Sequence, residues 1–214
     1  MTDAHCHLPS GEAGVRELVA GRDCFGVHPW NAESFDEAEL RRRLAENPAA
    51  GVGEIGLDRL RSRRVSDVMR DVFVRQLRVA AELRRPVTLH GAKCWGDVVQ
   101  TIRALFPDGA CPIPAFLFHG FSRSDGLLPD IARLNGFVSV GPAVLNDHAV
   151  NYRELIRKIP AERLLVETDR TPERAGETPS VRAVLARTAE IRGVTAAELE
   201  AQTDANARRF SIMV

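Results

Sequence analysis

Short apolar runs alternate with longer amphipathic segments along most of the chain. An apolar run of roughly four to eight residues, bounded by polar or turn residues, is typical of a buried β-strand. Seven segments fit this description: Thr2–His7, Cys24–His28, Ala50–Leu57, Pro86–His90, Ala115–His119, Phe137–Val140 and Leu164–Thr168. The pattern therefore predicts about seven strands.

The segments between these runs space their apolar residues with the period of an α-helix. The clearest is Ser66–Leu83, where Met69, Val72, Phe73 and Leu77 approximate a 3.6-residue repeat. Five further helices are predicted over Asp36–Ala45, Trp95–Leu105, Gly126–Leu134, Tyr152–Lys158 and Pro179–Ile191. Strands that alternate with helices of this length indicate βαβ units and a parallel sheet.

The α/β pattern favours a distorted TIM (β/α) barrel over an open sheet. A complete eight-stranded barrel usually needs about 250 residues, and this chain has 214. We therefore expect a single domain over residues 1–214, with about seven strands and one strand–helix unit missing.

Composition excludes several classes of protein. Hydrophobic residues make up 44% and charged residues 27%, which is ordinary for a globular protein and unlike a disordered chain or a collagen. The 29 Lys and Arg residues balance the 29 Asp and Glu residues, so no bulk charge attracts nucleic acid or membrane. A polyanionic ligand must then be held by a local site.

The cysteines and the amino terminus predict a cytoplasmic protein. The four cysteines form no CxxC pair, and the start of the chain lacks the apolar core of a signal peptide. No run approaches the roughly 18 apolar residues of a membrane span. We expect free thiols in a reducing compartment and no membrane partner.

Histidine or acidic side chains stand at or near the ends of most predicted strands. They are His5, His7, His28, Glu54, Asp58, His90, His119, Glu167 and Asp169. The carboxyl ends of all strands in a parallel barrel meet at one face, where active sites lie. Residues from both ends of the chain are therefore expected in one pocket.

Two short motifs suggest metal binding. His5 and His7 are two residues apart on a strand and face the same side, and neutral imidazoles suit a divalent cation. Glu54, in the segment GEIGLD, offers two oxygens that are able to bridge two cations. Read alone, the first motif also fits hydrogen-bonded histidines at a strand edge, and the second fits a solvated turn.

His90, His119 and Asp169 each follow an apolar run directly or closely. Taken separately, either histidine also fits a hydrogen-bonded core residue, and the aspartate fits a helix cap. Glu167 lies two positions before Asp169 and is expected to orient a ligand rather than bind metal itself.

The segments DAHCHL, GVHPW, GEIGLD, PVTLHGAK, FHGFSRS and LLVETD occur in this order. Together they resemble the TatD-like metal-dependent hydrolases of the amidohydrolase superfamily. The resemblance extends from Asp3 to about Asn206, where DANARRF is similar to the closing segment of the family.

The resemblance implies a distorted TIM barrel with one or two divalent cations, Mg²⁺, Mn²⁺ or Zn²⁺, at its carboxyl-terminal face. By the same resemblance, His5, His7 and Asp169 would hold one cation, and Glu54 would bridge to a second that His90 and His119 complete. The family includes Mg²⁺-dependent DNases with 3′→5′ exonuclease activity.

The sequence departs from the family mainly around this ligand set. Only about twenty residues separate His7 from His28, which is why one strand–helix unit is expected to be missing. The residues after Asp58, His90 and Asp169 also differ from the usual pattern. The metal-dependent hydrolysis is therefore better supported than the identity of the substrate.

Four residues are predicted to bind substrate: His28, Lys93, Arg123 and Arg170. Basic side chains recognise phosphate, and arginine does so with two parallel hydrogen bonds; loop residues such as these three are nevertheless more often solvated, and His28 fits a core hydrogen bond equally well. Trp30 and Trp95 fit a pocket wall, on which a base could stack, although the core is the more usual place for such a ring.

The leading hypothesis is a phosphodiesterase acting on DNA, in which Asp169 accepts the proton of the attacking water and Glu54 supports both cations. A hydrolase of amide, ester or lactone bonds is the alternative, because the same metals polarise carbonyls. A metal-binding interaction module without catalysis is the third possibility. The protein is expected to be a monomer or a weak oligomer.

Overall fold

The computed structural model describes residues 1–61, 63–107, 111–122 and 125–211. Eight parallel strands lie within these ranges: β1 Thr2–Cys6, β2 Arg16–Val19, β3 Cys24–Phe25, β4 Gly51–Asp58, β5 Val87–Ala92, β6 Phe116–Phe118, β7 Gly136–Val140 and β8 Leu164–Val166. β1 pairs with β2, and β3 to β8 pair in chain order. This order, with every neighbour parallel, is that of an α/β barrel.

Hydrogen bonds connect the two-stranded and six-stranded sheets at both edges. Between β8 and β1, the Asp169 N–H donates to the His5 carbonyl at 3.0 Å, and the Asp3 carboxylate accepts from the Thr168 hydroxyl at 2.6 Å. Between β2 and β3, Ala20 and Cys24 form a parallel bridge. The eight strands thus follow one another around a barrel.

The predicted barrel is confirmed, and its strand count is corrected from seven to eight within the described residues. The eighth strand, β2, begins with Arg16 and Glu17, and the Glu17 carboxylate accepts from the Ser10 N–H at 2.6 Å. A strand with so few apolar residues gives no run to recognise. Residues 8–15, before β2, and residues 20–23, after it, contain no helix. The strand of the unit that was expected to be missing is therefore present, and the helices that would flank it are not.

Seven α-helices lie in the described ranges: α1 Glu37–Glu46, α2 Asp67–Glu82, α3 Trp95–Leu105, α4 Leu128–Arg133, α5 Val150–Lys158, α6 Val181–Arg192 and α7 Ala196–Ser211. The six predicted helices are found within a few residues. Ser66 and Ser180 cap the amino termini of α2 and α6 through their side-chain oxygens. α7 was not predicted. None of the described helices is long and apolar enough to span a membrane.

Two apolar clusters form the core. The larger one lies between the strands and the surrounding helices, and it includes Phe73, Leu77 and Ile102. The smaller one gathers Ala4, Ala115, Leu117, Phe137, Leu165, Ala207 and Phe210. Phe137 and Phe210 meet edge to face with centroids 6.1 Å apart, so α7 contributes to this second cluster.

Close packing of β4 against β5 depends on two glycines of the GEIGLD segment. A side-chain carbon on Gly56 would lie 2.0 Å from the His90 carbonyl oxygen, and its φ of +149° is one that other residues rarely adopt. A side-chain carbon on Gly53 would lie 2.7 Å from that of Thr88. The two glycines therefore allow the backbones of β4 and β5 to approach closely.

Candidate metal centre and active site

The side chains expected in one pocket come together at the carboxyl-terminal ends of the strands. β1 and the turn after it carry His5 and His7, β4 carries Glu54, and β5 carries His90. His119 directly follows β6, and Asp169 lies three residues after β8. Asp169 has a φ of +47°, so the chain turns at this residue rather than continuing as a strand.

Glu54 is the centre of the group. This carboxylate is 6% exposed. Its nearest imidazole nitrogens belong to His119 at 2.6 Å, His90 at 2.7 Å, His7 at 3.3 Å, His5 at 3.4 Å and His28 at 3.6 Å. A buried carboxylate surrounded by five imidazoles is the arrangement expected of ligands that share cations.

Of the four donor groups among the described residues that are compact enough for a metal ion, three lie at this centre. They are His5, His119 and Asp169; His5, His7 and Glu54; and His28, Glu54 and His90, with the ligand atoms of each group within 4.8 Å of one another. Glu54 belongs to two of these groups. The Nε2 atom of His5 is buried without a hydrogen-bond partner among the described residues. A cation would satisfy this nitrogen, so the residues fit a metal site.

Two further carboxylates hold the imidazoles in place. Asp58 lies 2.8 Å from His90 Nε2, and its other oxygen accepts from the backbone N–H groups of Leu60 and Arg61. Glu167 accepts from the Gly120 N–H at 2.6 Å and from the Ser139 hydroxyl. It also lies 3.6 Å from His119 Nδ1. Carboxylates behind ligating histidines fix the ring orientation.

The electrostatics of the group centre on Glu54. Burial alone would raise the pKa of the Glu54 carboxyl, but the charge and hydrogen bond of His119, with the nearby imidazoles of His5 and His7, hold it well below its ordinary value. Burial would lower the pKa of His119, but Glu54 and Glu167 raise it well above the usual range. Such a site attracts positive charge, which protons or metal ions are able to supply.

The pKa values of three other groups at the site are shifted by burial or by a neighbouring carboxylate. Burial lowers the pKa of His28 to about 4, so this imidazole is neutral at pH 7 and able to bind a metal ion. The bond to Glu54 raises the pKa of His7. Partial burial raises the pKa of the Asp169 carboxyl.

The predicted substrate residues do not all reach this centre. His28 does, and its place beside Glu54 and His90 was not predicted. Lys93 is exposed and lines a separate cleft with Arg59 and Trp95. Arg170 is half-buried, and its carbonyl accepts from the backbone N–H of His7. Arg123 lies outside the described residues. The roles of all four stay predictions.

Two clefts open on either side of Asp169, which lines both. One, of about 600 Å³, contains the metal-binding group together with Trp30. The other, of about 870 Å³, is lined by Glu167, Tyr152 and Arg174 among others. Arg174 and Tyr152 were not singled out from the sequence, because neither stands in a recognisable motif. Asp169 is therefore the one proposed ligand that lines both of these clefts.

The fold and the histidine–carboxylate group define the class of α/β-barrel hydrolases. The family model described as "TatD related DNase" matches residues 21–211. The chain belongs to this TatD family, as its motifs predicted.

Curated relatives extend the match over most of the chain. A 3′-5′ ssDNA/RNA exonuclease TatD of Klebsiella pneumoniae is 34% identical, covering 94% of this chain and 82% of the relative. The uncharacterized metal-dependent hydrolase YabD of Bacillus subtilis is 28% identical, covering 87% of this chain and 75% of the relative.

Solved structures share the fold. The crystal structure of YJJV, a TatD homologue from Escherichia coli K12, has a TM-score of 0.72 at 23% identity, covering 94% of this chain and 78% of that one. A TatD family hydrolase from Entamoeba histolytica also has a TM-score of 0.72, at 17% identity, covering 92% of this chain and 75% of that one. The barrel is therefore the fold of the family.

Proposed function

We propose that the protein is a divalent-cation-dependent phosphodiesterase that removes nucleotides from the 3′ end of single-stranded DNA. The observation that carries the proposal is the position of Glu54, a buried carboxylate shared by two of the three compact donor groups at this centre. The exonuclease name of the Klebsiella relative supports the substrate class and polarity.

His5, His7 and Asp169 would hold one cation, Glu54 would contribute to both, and His90 and His119 would complete the second. Cations bound there would acidify a water molecule and neutralise charge on the phosphoryl oxygens. The number of imidazole nitrogens favours a transition metal such as Zn²⁺ or Mn²⁺ over Mg²⁺.

His28 competes with His119 for the place of third ligand to the second cation. His28, Glu54 and His90 form one of the compact groups, whereas His119 groups with His5 and Asp169. Metal analysis of His119→Ala and His28→Ala separates the two assignments. We expect His119→Ala to lose the second cation; loss only in His28→Ala would transfer the role to His28.

Asp169 is the proposed acceptor for the proton of the attacking water. Its side chain is 47% exposed and lies where the two clefts meet. Its Oδ1 atom is 3.6 Å from His7 Nε2 and 4.0 Å from His5 Nε2. A carboxylate that is both near the ligands and open to solvent is able to take a proton and release it.

The charge balance of the chain supports an end-directed enzyme. A protein with a formal net charge of zero has little general affinity for long duplex DNA, which depends on many phosphate contacts. The clefts beside Asp169 are better suited to a free strand end. The four cysteines are free thiols, which supports the cytoplasmic location expected from the sequence.

An end-labelled oligonucleotide assay tests the proposal. We expect stepwise shortening from the 3′ end with added Mn²⁺, Mg²⁺ or Zn²⁺, no cleavage in chelator, and recovery when metal is restored. Asp169→Asn should lose most of the rate, and Asp147→Asn, at an exposed aspartate on the loop before α5, should not. Turnover of an ester, amide or lactone substrate with no cleavage of any oligonucleotide would instead favour the carbonyl hydrolase.

A further inference from the structure

The two tryptophans of the chain have different surroundings. Trp95 is 5% exposed and packs in the core, with its ring centroid 5.5 Å from Phe118 and 5.4 Å from Phe121. Trp30 is 50% exposed and lines the cleft that contains Glu54. A half-exposed tryptophan beside a polar centre is an unusual use of a large apolar ring, so a binding role has to be considered.

Trp30 is held firmly although it is exposed. Its backbone N–H donates to His28 Nδ1 at 3.1 Å, and its ring meets that of His28 edge to face with centroids 4.6 Å apart. Together with His90, the Trp30 side chain lowers the pKa of the Asp58 carboxyl against the effect of burial, and Asp58 in turn holds His90. The ring is thus fixed relative to the metal-binding residues.

A cation lies over the indole. The guanidinium carbon of Arg61 is 5.1 Å from the Trp30 ring centroid, and the backbone N–H of Arg61 is held by Asp58 at 2.8 Å. Asp58 therefore organises the aromatic ring, the cation and one metal-binding imidazole at once. Aromatic rings with nearby arginines are the usual means by which proteins hold single-stranded bases.

We propose that Trp30 and Arg61 form a stacking platform for a nucleobase next to the scissile phosphate. This inference rests on the proposed function and specifies the substrate further. The platform would require an unpaired base, because a base in a duplex is covered by its neighbours. Stacking is tolerant of base identity, so the platform selects single-stranded ends without selecting sequence.

Tryptophan fluorescence tests the platform without turnover. The probe is a thymidine pentamer with phosphorothioate linkages, compared with a pentamer of abasic sugar–phosphate units. We expect the thymidine pentamer to quench the emission of the wild-type protein and the abasic pentamer not to. Trp30→Phe should abolish the quenching, because the remaining Trp95 is buried. Equal quenching by both pentamers, or none by either, would overturn the platform.

Kinetics separate stacking from a merely structural role. Trp30→Leu should lower kcat/KM for an ordinary 3′ end on the order of tenfold, mostly through a higher KM. Trp30→Phe should retain most of the wild-type kcat/KM. An oligonucleotide with an abasic 3′-terminal unit should show the same loss in the wild type and no further loss in Trp30→Leu. A further loss of similar size in Trp30→Leu on the abasic substrate would indicate that Trp30 acts only through Asp58.

Arg61→Ala should weaken binding of the thymidine pentamer by a smaller factor, whereas Arg157→Ala, which removes the same charge from α5, should not. Failure of the platform and failure of the proposed phosphodiesterase activity give different results. Base-dependent quenching without any cleavage would refute the phosphodiesterase and leave the platform, and cleavage without base-dependent quenching would do the reverse.

Discussion

Three neighbouring strands each carry an apolar residue that is followed, two positions later, by a polar residue on the strand or directly after it. The pairs are Leu117 and His119 from β6, Phe137 and Ser139 from β7, and Leu165 and Glu167 from β8. Residues two apart on a strand face the same side. Leu117, Phe137 and Leu165 belong to the smaller apolar cluster with Phe210. In contrast, Glu167 accepts a hydrogen bond from Ser139 and lies 3.6 Å from His119.

The apolar residues Leu117, Phe137 and Leu165 form a lower layer, and the polar residues His119, Ser139 and Glu167 form an upper layer. The two layers are stabilised by different forces. The lower, apolar layer gains its free energy from removal of surface from water and needs no partner outside the chain. The upper, polar layer is buried to a similar degree, and its charges are acceptable only because each meets an opposite charge or a hydrogen-bond partner. We infer that the residues that stabilise the barrel and the residues that support the proposed metal centre lie only two positions apart along these three chain segments.

The largest expected effect is at Glu54, the carboxylate that bonds to His119 of the upper layer. Glu54→Ala should lose metal from both proposed positions and lower kcat/KM on the order of 10³-fold or more, because this carboxylate meets five imidazoles. Metal analysis of the purified variant provides the measurement. Glu82→Ala, at an exposed glutamate of α2, is the control, and wild-type stoichiometry in Glu54→Ala would contradict the shared role.

Phe137→Ala tests the lower layer. The side chain is fully buried, and its removal should lower the free energy of unfolding by about 3–5 kcal/mol. The metal content of the folded fraction should stay the same, as measured by urea unfolding alongside metal analysis. Phe106→Ala, at a half-buried phenylalanine after α3, should have a smaller effect. Metal loss at full stability would show that the layers are not separate.

Glu167→Gln tests whether the charge of Glu167 supports the neighbouring imidazole of His119. The amide keeps the shape but removes the charge beside His119, and loss of such a supporting carboxylate should reduce metal affinity or activity roughly 10–100-fold. Activity titrated against metal concentration provides the measurement. Glu162→Gln, at an exposed glutamate just before β8, should be neutral. An unchanged metal requirement would mean that His119 is held in place without the charge of Glu167.

The smallest effect is expected for Ser139→Ala. The variant removes one hydrogen bond to Glu167 and should lower the free energy of unfolding by about 1–2 kcal/mol, with less than a tenfold change in rate. Thermal unfolding and steady-state kinetics check both values, and Ser34→Ala at an exposed serine is the reference. A rate loss as large as that of Glu167→Gln would place Ser139 among the residues that tune the metal.

Sequence patterning predicted the barrel and most of its helices but missed β2 and α7 for related reasons. The buried positions of α7 include Thr203 and Asn206. The Asn206 amide donates to the carbonyls of Ala161 and Leu164, both at 2.8 Å. A helix that packs through polar side chains leaves little apolar periodicity. Likewise, β2 begins with two charged residues.

At the site, strand ends located the histidines and carboxylates well, because a parallel barrel brings those ends together. The partners of each side chain were harder to predict. Asp58 was recognised as a strand-end carboxylate, but its bonds to His90 and to the backbone of Leu60 and Arg61 depend on how the loop after β4 turns. His28 was assigned to substrate, and only the three-dimensional arrangement brings it within 3.6 Å of Glu54.

The contact between β1 and β8 also sets a time for assembly of the site during synthesis. Asp3 and Thr168 are 165 positions apart, and a ribosome that adds about 5–20 residues per second needs roughly 8 to 33 seconds to make that length. During this interval β1 has no partner on its β8 side, and His5 and His7 have no Asp169 to meet. A nascent chain stalled before residue 164 would therefore carry most of the ligands and still lack the complete centre.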